Sequence, residues 1–74
     1  MMEREYAVIY ERIPGGGWSA YVPDLPGIGV GAETRPETEQ LIREGIRIYI
    51  EEMQALGEPI PEPNSYIATV KIPA

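Results

Sequence analysis

Three short runs of apolar and aromatic residues follow the two-residue period of β-strands. They span residues 6–11, 18–22 and 28–32, and each is rich in β-branched or aromatic side chains at alternate positions. Residues 13–17, Ile-Pro-Gly-Gly-Gly, separate the first two runs, and three consecutive glycines favour a hairpin turn. A phosphate-binding loop would need a following Lys-Ser/Thr and a helix, whereas a strand-like run follows here. The pattern predicts three successive strands.

A stiff corner joins the second and third strands. Pro23 and Pro26 fix the backbone and remove donors, while Gly27 supplies the freedom of a tight turn. Asp24 is the chain's single aspartate, and in such a turn we expect it to accept hydrogen bonds from neighbouring backbone amides. Contact with a partner, or a carboxylate site shared with a nearby glutamate, are the alternatives.

The third strand alternates apolar residues with glycines, so one of its faces carries only Gly29 and Gly31. Such a face indicates that something large packs flat against it, or that the strand bends there. We expect the following helix to pack against it, although a ligand or a partner chain could use the same space.

A helix is predicted to begin at Thr34 and to end near Leu56. Thr34 and Glu37 form a capping box with Pro36 in the first turn, and Gly57 supplies the left-handed stop. At 100° per residue one broad face is apolar. Its members are Leu41, Ile42, Gly45, Ile46, Tyr49, Met53 and Leu56. Gly45 in mid-helix suggests a close approach to the sheet.

The helix is apolar beyond that face, because Ile48 and Ile50 lie on its two flanks. One small sheet cannot cover so wide a surface, and we therefore predict at least a homodimer. Trp18, Ile48 and Ile50 are the predicted oligomer interface, with edge-to-edge pairing of sheets as the other possibility.

Residues 58–65 form a proline-stiffened connector, and residues 66–72 are predicted to be the last strand. Tyr66, Ala68 and Val70 share one face of it with Ile72. The predicted fold class is α+β: a single domain over residues 1–74, βββαβ in order, with one helix packed on one face of an antiparallel sheet.

Composition and charge limit the functions that this chain can have. The 74 residues carry a net charge of −6 and contain neither Cys nor His, which excludes disulfides and the usual zinc or iron sites. Much of the acidic excess lies between Glu37 and Glu62. We expect poor binding of nucleic acid and attraction to a basic partner. We predict no catalytic residues, cofactor, metal or membrane span, and a cytoplasmic location.

Four residues around the corner are the predicted contacts with that partner. They are Tyr21, Asp24, Leu25 and Pro26. Tyr21 lies on the strand face opposite Trp18, which makes it the better candidate for an exposed contact.

The ordered set of motifs resembles the HicB-like antitoxin family over nearly the whole chain. The motifs are the glycine-rich hairpin, Pro23-Asp24-Leu25-Pro26-Gly27, Gly31-x-x-Thr34, the Glu- and Ile-rich helix, and Pro59-x-Pro61-x-Pro63. The resemblance implies a degenerate RNase H-like fold, homodimers or tetramers, and neutralisation of a small basic HicA-type mRNA interferase toxin.

The chain departs from that family in two respects. It stops shortly after Ile72, so we expect no C-terminal DNA-binding module. RNase H catalysis needs a cluster of carboxylates on the sheet, whereas the first strand offers only Glu11, so we expect no nuclease activity. Our first hypothesis is therefore an antitoxin-like binding module. The alternatives are a stand-alone homo-oligomeric ligand-binding or scaffold domain that uses the glycine face, and a residual nuclease.

Overall fold

A computed structural model describes residues 3–74 and contains one antiparallel sheet and one helix. The sheet has the strand order β1-β2-β3, and the helix follows the third strand. The elements are β1 (Ile9–Arg12), β2 (Trp18–Tyr21), β3 (Gly29–Ala32) and α1 (Arg35–Leu56). This arrangement confirms the α+β class and the βββα order.

The strands are shorter than the sequence predicts because pairing stops at the corner. In the register of the sheet, Ile9 lies opposite Tyr21, and Tyr21 lies opposite Gly29. Two residues beyond Tyr21, Pro23 has no backbone N–H to continue the ladder. Residues 6–8 therefore precede β1, although they still contribute side chains to the core.

The core lies between the inner face of the sheet and α1. Its buried members are Ala20, Val22, Leu25 and Ile42. Partly buried side chains surround them: Tyr6, Val8, Tyr10, Ile28, Val30, Ile46 and Tyr49. The corner after β2 thus supplies a core residue, since Leu25 is 0% exposed. Packing against the sheet, rather than helix propensity alone, holds α1 in place.

Both ends of α1 form as the sequence predicts. The Thr34 hydroxyl oxygen accepts a hydrogen bond from the Glu37 backbone N–H at 3.3 Å, and the same hydroxyl donates to the Glu37 carboxylate at 2.7 Å. At the other end Gly57 is left-handed, with φ of 70°, and its N–H donates to the carbonyl of Gln54. These contacts satisfy backbone groups that a helix terminus leaves without partners.

The helix approaches the sheet closely at Gly45, but it does not pack on the strand glycines. A Cβ added at Gly45 would lie 3.4 Å from Cγ2 of Ile28, which is the close approach predicted. Strand alternation turns Ile28 and Val30 toward the helix, so Gly29 and Gly31 face away from it. Ile13 lies near Gly31 instead, and the space at Gly29 is open. The expectation that α1 covers the glycine face was wrong.

The predicted last strand, residues 66–72, lies outside the sheet. It has no strand partner among residues 3–74, and Tyr66 is 91% exposed. A β-strand needs a second strand to satisfy its backbone groups. Within one chain the order is therefore βββα, followed by an unpaired C-terminal segment.

Candidate functional site

The corner between β2 and β3 is tied to the connector that follows α1. The Asp24 carboxylate accepts hydrogen bonds from the backbone N–H groups of Asn64 and Ser65 and from the Ser65 hydroxyl, all at 3.0 Å. Asp24 was predicted to accept hydrogen bonds from neighbouring amides of its own turn, but the amides that it binds lie about forty residues further along the chain. We call this contact the Asp24 clasp.

Two further contacts fix the connector to the segment before β1. The Tyr6 hydroxyl donates to the Pro61 carbonyl at 2.6 Å, and Arg4 forms an ion pair with Glu62 at 3.3 Å. Burial raises the pKa of the Tyr6 phenol above its usual value of 10.0, while the charge of Arg4 opposes this shift. The connector is thus held at three successive points up to Ser65.

The structure separates the four predicted partner contacts into two groups. Tyr21 and Pro26 are exposed and accessible to another molecule. Leu25 is a core residue, and the half-buried carboxylate of Asp24 already holds the connector. The sequence of a proline-rich turn does not indicate which of its side chains points into the core.

The residues predicted for an oligomer interface differ in their surroundings. Trp18 is half-buried, and the guanidinium groups of Arg12 and Arg35 lie 4.9 and 5.8 Å from its ring centroid. Such cation–π contacts stabilise an aromatic ring at a partly wet surface. Ile48 is exposed on α1, whereas Ile50 is half-buried.

A shallow groove of about 350 Å³ lies beside the first half of α1 and the end of β3. We call it the helix groove; it is lined by Ala32, Glu37, Gln40, Leu41 and Glu44. Helical periodicity places Leu41 on the apolar face, yet 46% of this side chain is exposed. The spacing of residues 37, 40, 41 and 44 is the signal that could have identified this surface, because such positions are neighbours on a helix.

The groove is bordered by negative charge. A hydrogen bond from Arg47, together with the charge of that residue, holds the pKa of Glu44 below its ordinary value, so the carboxylate is ionised at neutral pH. Arg47 also pairs with Glu51, at 2.7 Å. Of the twelve acidic residues, all but Asp24 and Glu39 are exposed.

Residues 3–74 contain neither a cluster of metal ligands nor a helix of membrane-spanning character. In this range no three His, Cys, Asp or Glu side chains are placed to hold a metal ion. Nor does the described part of the chain include a helix with the length and apolarity to cross a membrane.

Two proteins of similar length share about a third of their residues with this chain. The UPF0150 protein of Synechocystis sp. is 33% identical over 67 residues, which cover 90% of this chain and 85% of that protein. The UPF0150 protein of Thermoplasma acidophilum is 36% identical over 66 residues, which cover 89% of this chain and 96% of that protein. No protein-family model matches the chain. At this identity, over nearly the full length of both relatives, the chain belongs to the UPF0150 family.

Proposed function

We propose that this chain is an antitoxin-like binding module that neutralises a small basic mRNA interferase of the HicA type by covering its active or RNA-binding face. The observation that carries the proposal is the helix groove, in which an exposed leucine lies between ionisable carboxylates on an acidic surface. The UPF0150 family is related to the HicB-like antitoxins, which supports the same partner.

Charge complementarity is the first element of this recognition. The chain carries a net charge of −6, and a toxin that binds RNA presents basic side chains to phosphate. Opposite potentials accelerate encounter and exclude wrong partners, and the same basic side chains would then be unavailable to RNA.

The exposed leucine is the second element. Interfaces obtain most of their binding energy from a few well-packed anchor residues, surrounded by contacts that exclude water. Leu41 provides such an anchor, while Glu37 and Glu44 stand one turn before and after it. A basic side chain with an apolar stem matches both features.

The turn surface formed by Tyr21 and Pro26 is a second contact area in this proposal. Both residues are exposed, and tyrosine is enriched in protein interfaces because it combines apolar area with a polar hydroxyl. Tyr21→Ala tests this area separately from the helix groove.

The direct test is co-expression with a small basic protein encoded beside this chain, followed by affinity purification and an RNA-cleavage assay. We expect a stable complex in which RNA cleavage is suppressed, and an affinity that falls as salt concentration rises. Absence of a complex, or a complex that still cleaves RNA, would contradict the proposal. A homo-oligomer without such a partner would favour the stand-alone scaffold.

A matched pair of variants locates the contact. Leu41→Lys places a positive charge in the helix groove, and we expect it to weaken the complex about tenfold or more, which is about 1.4 kcal/mol. Leu56→Lys makes the same change on the same helix, about 22 Å further along its axis, where 75% of the leucine is exposed. We expect this control to bind like the parent chain; equal losses in both variants would exclude the groove.

A further inference from the structure

The C-terminal segment has the sequence of a strand but no strand beside it. Tyr66, Ala68, Val70 and Ile72 form one apolar face, and the other face carries Ile67, Thr69 and Lys71. Val70 is 79% exposed, and neither pairing nor packing within residues 3–74 accounts for the apolar alternation. The radius of gyration is 14.2 Å, against about 11 Å for a compact chain of this length. The segment thus extends away from the folded body.

The sheet has two edge strands, β3 and β1, and they differ in how well each can pair with an added strand. The edge strand β3 contributes Gly29 and Gly31, which give an added strand few side chains to pack against. The opposite edge is β1, preceded by residues 5–8, and it presents a side chain at every position. An unpaired edge with such side chains readily accepts another strand.

The two faces of the C-terminal segment match the two faces of this edge. Tyr6, Val8 and Tyr10 belong to the core side of the sheet, and all three are only partly buried. The core is therefore incomplete at β1. The apolar face of the segment, which contains Tyr66 and Val70, would complete it.

The second face of the C-terminal segment and the outward face of β1 carry opposite charges. Lys71 belongs to the second face of the segment, and the exposed Glu11 belongs to the outward face of β1. A cross-strand pair of opposite charges is mildly stabilising. Burial of either charge against the core would be destabilising. Thr69 and Lys71 therefore favour the orientation in which Tyr66, Ala68, Val70 and Ile72 face the core.

The connector determines where the segment starts. The Asp24 clasp, the Tyr6–Pro61 hydrogen bond and the prolines fix the chain up to Ser65. Beyond a shallow groove that Glu5, Tyr6 and Ala7 share with residues 65–67, the segment leaves the body. Seven residues in strand conformation reach about 23 Å, which is enough to span a neighbouring β1.

We propose that residues 66–72 of one chain form an added strand on the β1 edge of a second copy, and that the second copy returns the same contact. The exchange is self-complementary, as a two-fold dimer requires, and it closes both β1 edges against further association. The dimer needs no toxin, so its test is independent of the proposed function.

The oligomeric state of matched variants is the first test. We expect the parent chain to sediment as a dimer at micromolar concentration and Val70→Lys to sediment as a monomer with unchanged helical circular dichroism. Leu56→Lys removes an equally exposed leucine from the helix, and we expect it to remain a dimer. A monomeric parent chain, or a Val70→Lys variant that is still dimeric, would overturn the proposal.

Disulfide trapping distinguishes exchange between chains from folding back within one chain. The protein contains no cysteine, so introduced thiols are the only ones present. We would mix Glu11→Cys with Lys71→Cys, and separately with Thr69→Cys to allow for register, and identify the mixed disulfide after mild oxidation by mass spectrometry. Val70→Cys, on the other face, is the matched control.

We expect a mixed disulfide with one of the first two thiols and at least tenfold less with Val70→Cys. If a chain carrying both Glu11→Cys and Lys71→Cys instead forms an internal disulfide as a monomer, the segment folds on its own sheet and the proposal fails. A dimer that yields no mixed disulfide overturns it as well, because another surface must then hold the two copies.

Discussion

Ser65 donates two hydrogen bonds to Asp24, one from its backbone N–H and one from its hydroxyl, and each is 3.0 Å long. The two residues are 41 positions apart in the sequence, so this contact closes most of the chain into one loop. The neighbour of Asp24 in the turn, Leu25, points into the core. One short corner therefore anchors both the hydrophobic core and the connector after the helix.

The first prediction concerns Asp24→Asn. Asparagine keeps one acceptor oxygen but has no negative charge, and its amide donors face groups that are themselves donors. We expect the free energy of unfolding to fall by about 1 kcal/mol, since these hydrogen bonds are partly accessible to water. Amide hydrogen exchange at Asn64 and Ser65 should accelerate more than exchange in α1.

Glu62→Gln is the control for this variant, because it removes a charge from the exposed ion pair with Arg4. Exposed ion pairs of this kind contribute little to stability, and we expect the free energy of unfolding to change by less than about 0.5 kcal/mol. Equal destabilisation by the two substitutions would show that the Asp24 clasp has no special role in holding the connector.

The second prediction is a loss of stability at alkaline pH through Tyr6. Burial is the main cause that raises the pKa of this phenol, so the unfolded chain loses the proton at a lower pH than the folded chain does. The stabilisation that Tyr6 provides is present in full below the pKa that its phenol has in the unfolded chain, near 10. It is lost as the pH rises toward the folded pKa, because the phenolate cannot donate to the Pro61 carbonyl.

The measurement is denaturant unfolding as a function of pH, together with ultraviolet absorbance of the phenolates. In Tyr6→Phe we expect the free energy of unfolding near neutral pH to fall by about 1 kcal/mol and the alkaline decline to be shallower than in the parent chain. Tyr10 has a pKa raised by burial as well, so Tyr10→Phe is the companion variant. An alkaline decline unaltered by Tyr6→Phe would contradict this account.

The elements of this fold could be predicted from local patterns, whereas the long-range contacts could not. The capping residues Thr34 and Gly57 determine the ends of α1, and both are recognisable from sequence. The partners of Asp24 lie in the connector, and no local pattern specifies a contact between distant segments. Alternation also predicted a strand at residues 66–72, but these residues have no strand partner among residues 3–74. Local alternation does not specify a pairing partner.

The same limit applies to the candidate site. The acidic excess was evident from composition, but the exposure of Leu41 depends on how far the sheet extends beneath α1. Thr38 was missed entirely: its side chain is buried, and its hydroxyl donates to the carbonyl of Thr34 at 2.8 Å. The carbonyl of Trp18, 3.3 Å from the same hydroxyl, is the alternative acceptor. Helical periodicity treats such a threonine as polar, although this hydrogen bonding permits its burial.

The third prediction is that Leu25→Ala is among the most damaging substitutions in the chain. Leu25 is fully buried in the core cluster, and removal of its side chain leaves a cavity beneath the corner. We expect a loss of about 2–5 kcal/mol in the free energy of unfolding. Pro26→Ala, at the exposed neighbouring position, should cost far less. If both variants unfold at similar denaturant concentrations, the corner does not anchor the core.

The fourth prediction contrasts two glycines by the same substitution. Gly17 has a φ of +95°, and a Cβ added there would lie 2.9 Å from the backbone oxygen of Ala32. The left-handed conformation is unfavourable for alanine, and a backbone oxygen of the sheet cannot move aside cheaply. We expect Gly17→Ala to lower the free energy of unfolding by about 1–3 kcal/mol.

Gly29→Ala is the matched control on the same sheet. Its backbone is not left-handed, and an added Cβ would meet no heavy atom within 4 Å. Alanine also reduces the conformational freedom of the unfolded chain, so we expect a change between zero and a gain of about 1 kcal/mol. Thermal unfolding of both variants measures the contrast. If Gly29→Ala destabilises the protein as much as Gly17→Ala, the outer face at Gly29 is covered in solution, and a second molecule must lie against it.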